Sequence, residues 1–141
     1  MSQRASDVAE ALVHEQVRAL VGSQLRPNGR WSREKVRQAE DYMRAHLAEP
    51  LRIANIAGAV GLGTRSLELA FRRASDGTPL ARLTTIRLEQ ARRRLLAGGG
   101  DDSVTSIALE CGLAHLGRFA QLYRKTYGEL PSETLRRSGK N

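Results

Sequence analysis

Twenty arginines and three lysines stand against fifteen carboxylates in this 141-residue chain, a net charge of +8, and they are the groups with most chemistry to offer. A guanidinium fork matches phosphate oxygens and the O6/N7 edge of guanine in a way that an ammonium does not. The excess is local: residues 50–141 hold 15 basic and 8 acidic side chains (+7), residues 1–49 hold 8 and 7 (+1). Basic side chains that neutralise phosphates release condensed counterions, so this balance points to a polyanionic partner. Catalysis has no comparable support. No nucleophile paired with a base, carboxylate dyad or phosphate-cradling loop is legible, so no enzyme and no cofactor are expected. The single cysteine, Cys111, can make no internal disulfide; it fits a reducing, cytoplasmic setting and is expected to be buried as a small apolar group. His14, His46 and His115 lack ligand spacing, which argues against a metal site. No run approaches 18 apolar residues, so no membrane span is expected.

The elements that would carry these groups are helical. Residues 7–21, DVAEALVHEQVRALV, place Val8, Leu12, Val13, Val17, Leu20 and Val21 on one broad face, and Gly22 ends the pattern. LRPNGR at 25–30 is a turn-rich linker. Ser32 is positioned to cap a second helix over about 33–47, with Val36, Tyr42, Met43 and Leu47 inward and Pro50 closing it. Further helices are expected at about 53–60, 64–75, 79–97, 104–111, 115–127 and 131–138. Gly98 suits a left-handed stop and Ser103 a helix cap. No window alternates strictly between apolar and polar residues, so the fold class is all-α.

Two passages repeat. IAGAVGLGTRSLELAF at 56–71 is echoed by IALECGLAHLGRFAQLY at 107–123, each with an Ile-Ala start, a Gly five positions after the Ile, and a Leu after the Gly. A helix-turn-helix makes these demands: a small residue where the helices cross (Ala57, Ala108), a turn residue that accepts positive φ (Gly61, Gly112), and an apolar inner face on the second helix. Leu67, Ala70 and Phe71 supply that face in one copy, and Phe119, Leu122 and Tyr123 in the other. Each copy ends at a proline, Pro79 and Pro131, where a new helix can start. The domain reading is therefore an N-terminal helix and linker at 1–31, a first helix-turn-helix at 32–78, a linker helix at 79–98 and a second helix-turn-helix at 99–141. Leu83, Ile86, Leu88, Ala91, Leu95 and Leu96 of the linker helix are expected to pack on both units.

From about Ala39 to Arg137 the chain resembles the DNA-binding domain of the AraC/XylS family of transcription regulators. The resemblance rests on IANIAGAVGLGTRSLELAFRR, IRLEQARRRLL and VTSIALECGLAHLGRFAQLYRKTYGELPSETLRR, and its wording is closest to the XylS-like branch. It implies double-stranded DNA as the partner, with RNA polymerase as a further one, and two second helices in successive major grooves about 34 Å apart. The outward N-terminal positions of those helices would then read bases: Thr64, Arg65, Glu68 and Leu69 in the first, His115, Gly117, Arg118 and Gln121 in the second. Arg65 suits guanine, Arg118 guanine or a phosphate, Glu68 cytosine N4, Gln121 adenine and Leu69 a thymine methyl. The blander alternative is an Arg65–Glu68 surface pair, and for His115 a helix cap or phosphate contact. Leu69 replaces a frequent Arg of the family, and Asp76 a usual Gly. Arg72, Arg73, Arg124 and Lys125 suit the sugar-phosphate backbone, and Arg87 an ion pair or a phosphate contact. About half of the linker-helix arginines are expected to be silent surface charge.

A rival reading is a nonspecific basic helical protein that binds RNA. It explains the charge but not the repeated turn, and aromatics for stacking are only 4%. Residues 1–31 are read either as the remnant of a sensor and dimerisation region, with 7–21 as a homodimer helix, or as the start of a short complete regulator.

Overall fold

The computed structural model describes residues 29–74 and 77–139; the helix and dimer contact expected at 7–21, and Asp76, lie outside them. The described residues form seven α-helices and no strand: α1 (Gly29–Ala45), α2 (Ile53–Ala59), α3 (Thr64–Ala74), α4 (Pro79–Ala97), α5 (Val104–Glu110), α6 (Leu116–Tyr127) and α7 (Pro131–Gly139). The all-α expectation holds. The clearest departure is α1, which begins ahead of Ser32. That serine is buried inside the helix instead of capping it, because the extra turn lays Trp31 against the core. Gain from burying the indole exceeds the weak helix propensity of Gly29.

The described residues form two apolar cores. One collects Val36, Ala39 and Met43 of α1, Ile56 and Ala57 of α2, and Leu67, Ala70 and Phe71 of α3. The other collects Ile107 and Ala108 of α5, Cys111, and Phe119 and Tyr123 of α6. Helix α4 serves both: Leu83 and Ile86 enter the first, Leu88, Ala91 and Leu95 the second. At 100° per residue these two stripes lie roughly 140° apart around the helix, so the units clasp α4 from different sides. Leu96, expected to pack, falls in the gap between the stripes and is 45% exposed.

The repeated Ala, Gly and Leu have one common cause. After α2 the Leu62 N–H donates to Ala57 O at 2.9 Å and Gly61 N–H to Gly58 O at 3.1 Å; after α5 Leu113 donates to Ala108 O at 2.8 Å and Gly112 to Leu109 O at 3.1 Å. Both are six-to-one and five-to-two pairs of a Schellman ending, which needs a left-handed residue at the glycine. Gly61 has φ +75° and Gly112 φ +80°. Elsewhere the ends form as local chemistry dictates. Ser103 Oγ accepts from Ser106 N–H at 3.0 Å, making the expected cap of α5, and Thr78 Oγ1 accepts from Ala81 N–H at 3.1 Å ahead of Pro79.

Polar ties close the second unit around α6 and α7. Tyr123 Oη and Thr134 Oγ1 share a buried hydrogen bond of 2.8 Å, and Arg92 donates to Tyr123 Oη at 3.0 Å with its guanidinium 4.5 Å from the Tyr127 ring centre. Glu129 accepts from Arg137 at 2.5 and 2.9 Å and from Thr134. Those hydrogen bonds hold the Glu129 carboxyl down at about 2, against an ordinary 4.5. Because the folded value is the lower one, this contribution is complete above about pH 4.5 and fades as pH falls towards 2. Denaturant unfolding of Glu129→Gln at pH 5 and pH 3 should therefore show a flatter pH dependence than the wild-type chain.

Candidate nucleic-acid interface

The apolar faces decide which side chains are left for a partner. On α3, burial of Leu67, Ala70 and Phe71 turns Arg65, Glu68, Arg72 and Arg73 to solvent and leaves Thr64 and Leu69 half-buried. On α6, burial of Phe119 and Tyr123 exposes Gly117, Arg118, Gln121, Arg124 and Lys125, with His115 exposed just ahead of the helix. Every predicted base-reading position except Thr64 and Leu69 is thus freely accessible. His115 occupies the N-cap position of α6, but its side chain makes no capping hydrogen bond. Space around Gly117 is open, so nothing in the protein demands a glycine there.

Electrostatic pairing divides the arginines into two populations. On α4, Arg82 Nε donates to Glu40 of α1 at 2.5 Å, Arg92 lies 3.7 Å from Glu129, and Arg94 pairs with Glu110 and, at 3.4 Å, with Asp102. Arg93 donates to the Gln90 side chain at 2.6 Å. Arg82, Arg92 and Arg94 thus tie α4 to the rest of the fold, whereas Arg93 bonds only within α4 and fits the expectation that about half of these arginines are silent surface charge. Among the described residues, by contrast, Arg65, Arg72, Arg118, Arg124 and Lys125 have no carboxylate partner, and the Arg65–Glu68 pair that their spacing permits is not made. Arg33 on α1 and Arg136 on α7 share that condition, and both lie outside the repeated passages, where no motif marks them. Unpaired, hydrated guanidinium groups on two equivalent helix faces suit phosphate and base edges, since no internal ion pair must first be broken.

Arg87 departs from expectation. Its Nε donates to Leu47 O at 3.2 Å and its Nη2 to Glu49 O at 2.7 Å, so its partners are main-chain carbonyls just beyond α1 and not a carboxylate. Both carbonyls belong to the turn that follows α1, and that of Glu49 also accepts from Leu51 N–H at 2.8 Å. Burial lowers the Arg87 pKa, with no carboxylate to oppose it. A backbone-phosphate contact is accordingly not where the structure puts this side chain. It faces an open cleft shared with Ala81, Thr84, Gly112, His115 and Arg118.

Cys111 is buried as expected, and burial pushes its thiol pKa up, away from the thiolate that reactivity requires. Among the described residues no cluster of His, Cys, Asp and Glu could hold a metal ion, and no helix is long and apolar enough to cross a membrane.

Residues 56–137 match a family model described as a helix-turn-helix domain. A probable thc operon regulatory protein of Rhodococcus erythropolis is 44% identical over 102 residues, 72% of this chain and 31% of that protein. The XylDLEGF operon transcriptional activator 3 of Pseudomonas putida is 37% identical over 97 residues, 68% of this chain and 29% of its own. The chain therefore spans less than a third of the length of these curated relatives. The crystal structure of a probable AraC family transcriptional regulator from Rhodopseudomonas palustris is similar with a TM-score of 0.67 and 38% identity, over 74% of this chain and 97% of that one.

Proposed function

The chain belongs to the AraC/XylS family of helix-turn-helix proteins, and on that premise we propose that it binds a specific duplex DNA site through α3 and α6 and so regulates transcription. The observation that carries this is the pairing pattern: among the described residues Arg65 and Arg72 on α3 and Arg118, Arg124 and Lys125 on α6 have no carboxylate partner, while Arg82, Arg92 and Arg94 of α4 are spent on internal ties. Arg65, Glu68, Arg118 and Gln121 read base edges, with Thr64, Leu69, His115 and Gly117 completing the surface against the groove. Arg72, Arg73, Arg124 and Lys125 hold phosphates and set register. The activity is equilibrium binding without turnover, exercised in the cytoplasm on chromosomal DNA. The Pseudomonas putida relative is an operon transcriptional activator, which favours activation and RNA polymerase as a second partner. Residues 7–21 are the proposed homodimer contact. The rival RNA-binding reading has no use for two matched helix faces.

Selecting sites from a random duplex pool, then titrating them at several salt concentrations, tests the proposal. Four phosphate contacts predict a log–log salt slope of about −3 to −4. Arg118→Ala should cost about 1–3 kcal/mol at the selected site and relax base preference at one position. Arg124→Ala should weaken all duplexes alike and reduce the slope by about 0.9. Equal losses from both variants on every sequence would refute the division of roles, and a pool that yields no preferred site would refute specific binding.

A further inference from the structure

We infer that Arg87 is a positioning residue, which fixes the relative placement of the two reader helices by pinning the turn of the second unit to the end of α1 in the first. Each unit has its own core, and α4 is what they share. Among the described residues, α4 reaches the first unit through Arg82 and Arg87 and the second through Arg92 and Arg94. Arg87 is the one of these that touches both. Its fork is seated on the carbonyls of Leu47 and Glu49, while the backbone at Gly112 lies so close that a Cβ there would stand 2.6 Å from Arg87 Nε and 2.1 Å from Leu47 O. Gly112 opens the turn that runs directly into α6, and Arg118 and His115 border the same cleft as Arg87. A shift at this junction is therefore transmitted to the start of the second reader within a few residues. Two acceptors at different angles require a planar fork, and a lysine ammonium can satisfy one of them well but not both in this geometry. The inference deepens the DNA-binding reading and rests on it for its consequence, though the junction itself can be examined without DNA.

Residual dipolar couplings of the free chain test the junction. Wild type should fit one alignment tensor across both units. Arg87→Ala should need two, and Arg87→Lys, which keeps the charge and one hydrogen bond, should lie between them and remains a usable variant if Arg87→Ala does not fold. The DNA arm uses the selected site with one base pair inserted between its halves, which rotates the second half by about 34–36°. The insertion should weaken wild type about tenfold or more, and Arg87→Ala only about threefold or less. A single shared tensor in both variants, or an undiminished insertion penalty in both, would overturn the role given to Arg87. Loss of sequence preference already in wild type would instead overturn the DNA reading and leave the couplings to judge the junction alone.

Discussion

Gly112→Ala should lower the stability of the chain by about 3–5 kcal/mol, whereas Gly61→Ala, at the same place in the other repeat, should cost about 1–2 kcal/mol. Both glycines are left-handed, at φ +80° and +75°, so both variants incur the same local strain. They differ in surroundings. Nothing lies within 4 Å of a Cβ at Gly61, but one at Gly112 would meet Leu47 O at 2.1 Å and Arg87 Nε at 2.6 Å. A main-chain carbonyl cannot rotate out of the way, so the end of α1 and the second turn must part. The same Cβ crowds Arg87 Nε, which bonds Leu47 O, and weakening one bond from a charged group costs about 1.5–3 kcal/mol. Against a domain stability of about 5–15 kcal/mol the difference decides whether the fold survives warming. Urea midpoints for the two variants give the comparison; equal shifts would show that contact at Gly112 adds nothing to the left-handed strain.

Replacing Phe119 by Ala should be as damaging, at about 3–5 kcal/mol, but confined in its first effects to one half of the molecule. The single tryptophan, Trp31, packs against the first core, so its fluorescence reports on that unit while far-UV circular dichroism reports on all helices. In Phe119→Ala the dichroism midpoint should fall below the fluorescence midpoint, because the second core loses its buried ring while the first keeps Leu67, Phe71 and Leu83. In Phe71→Ala fluorescence should change first. Coincident midpoints in both variants would show that α4 couples the two cores into one cooperative unit.

The turns and the exposed faces of α3 and α6 were legible in the sequence because short-range geometry dictates them. A Schellman ending demands glycine at Gly61 and Gly112, and the 3.6-residue period places Phe71 and Phe119 inward whatever the rest of the chain does. The cap at Ser103 and the burial of Cys111 are local in the same sense. What stayed hidden depends on residues that meet only after folding. Arg82 finds Glu40 across 42 positions and Arg87 finds the carbonyls of Leu47 and Glu49 across 40 and 38, and no spacing rule connects them. Leu96 looks like a core residue on hydropathy alone, and only the placement of two clasping units reveals the gap in which it sits. The early start of α1 likewise follows from a surface for Trp31 that does not exist until α1 has docked.

The two stripes of α4 change ownership between Ile86 and Leu88, with no core residue held in common. Evolution, or an engineer, can therefore treat the helix as a seam: a hybrid that takes residues up to 86 from one relative and from 88 onward from another inherits two intact interiors. What such a hybrid must still satisfy is the joint itself, an arginine at the seam and a glycine opposite it. Recombination at this point would mix one parent's first half-site with the other's second.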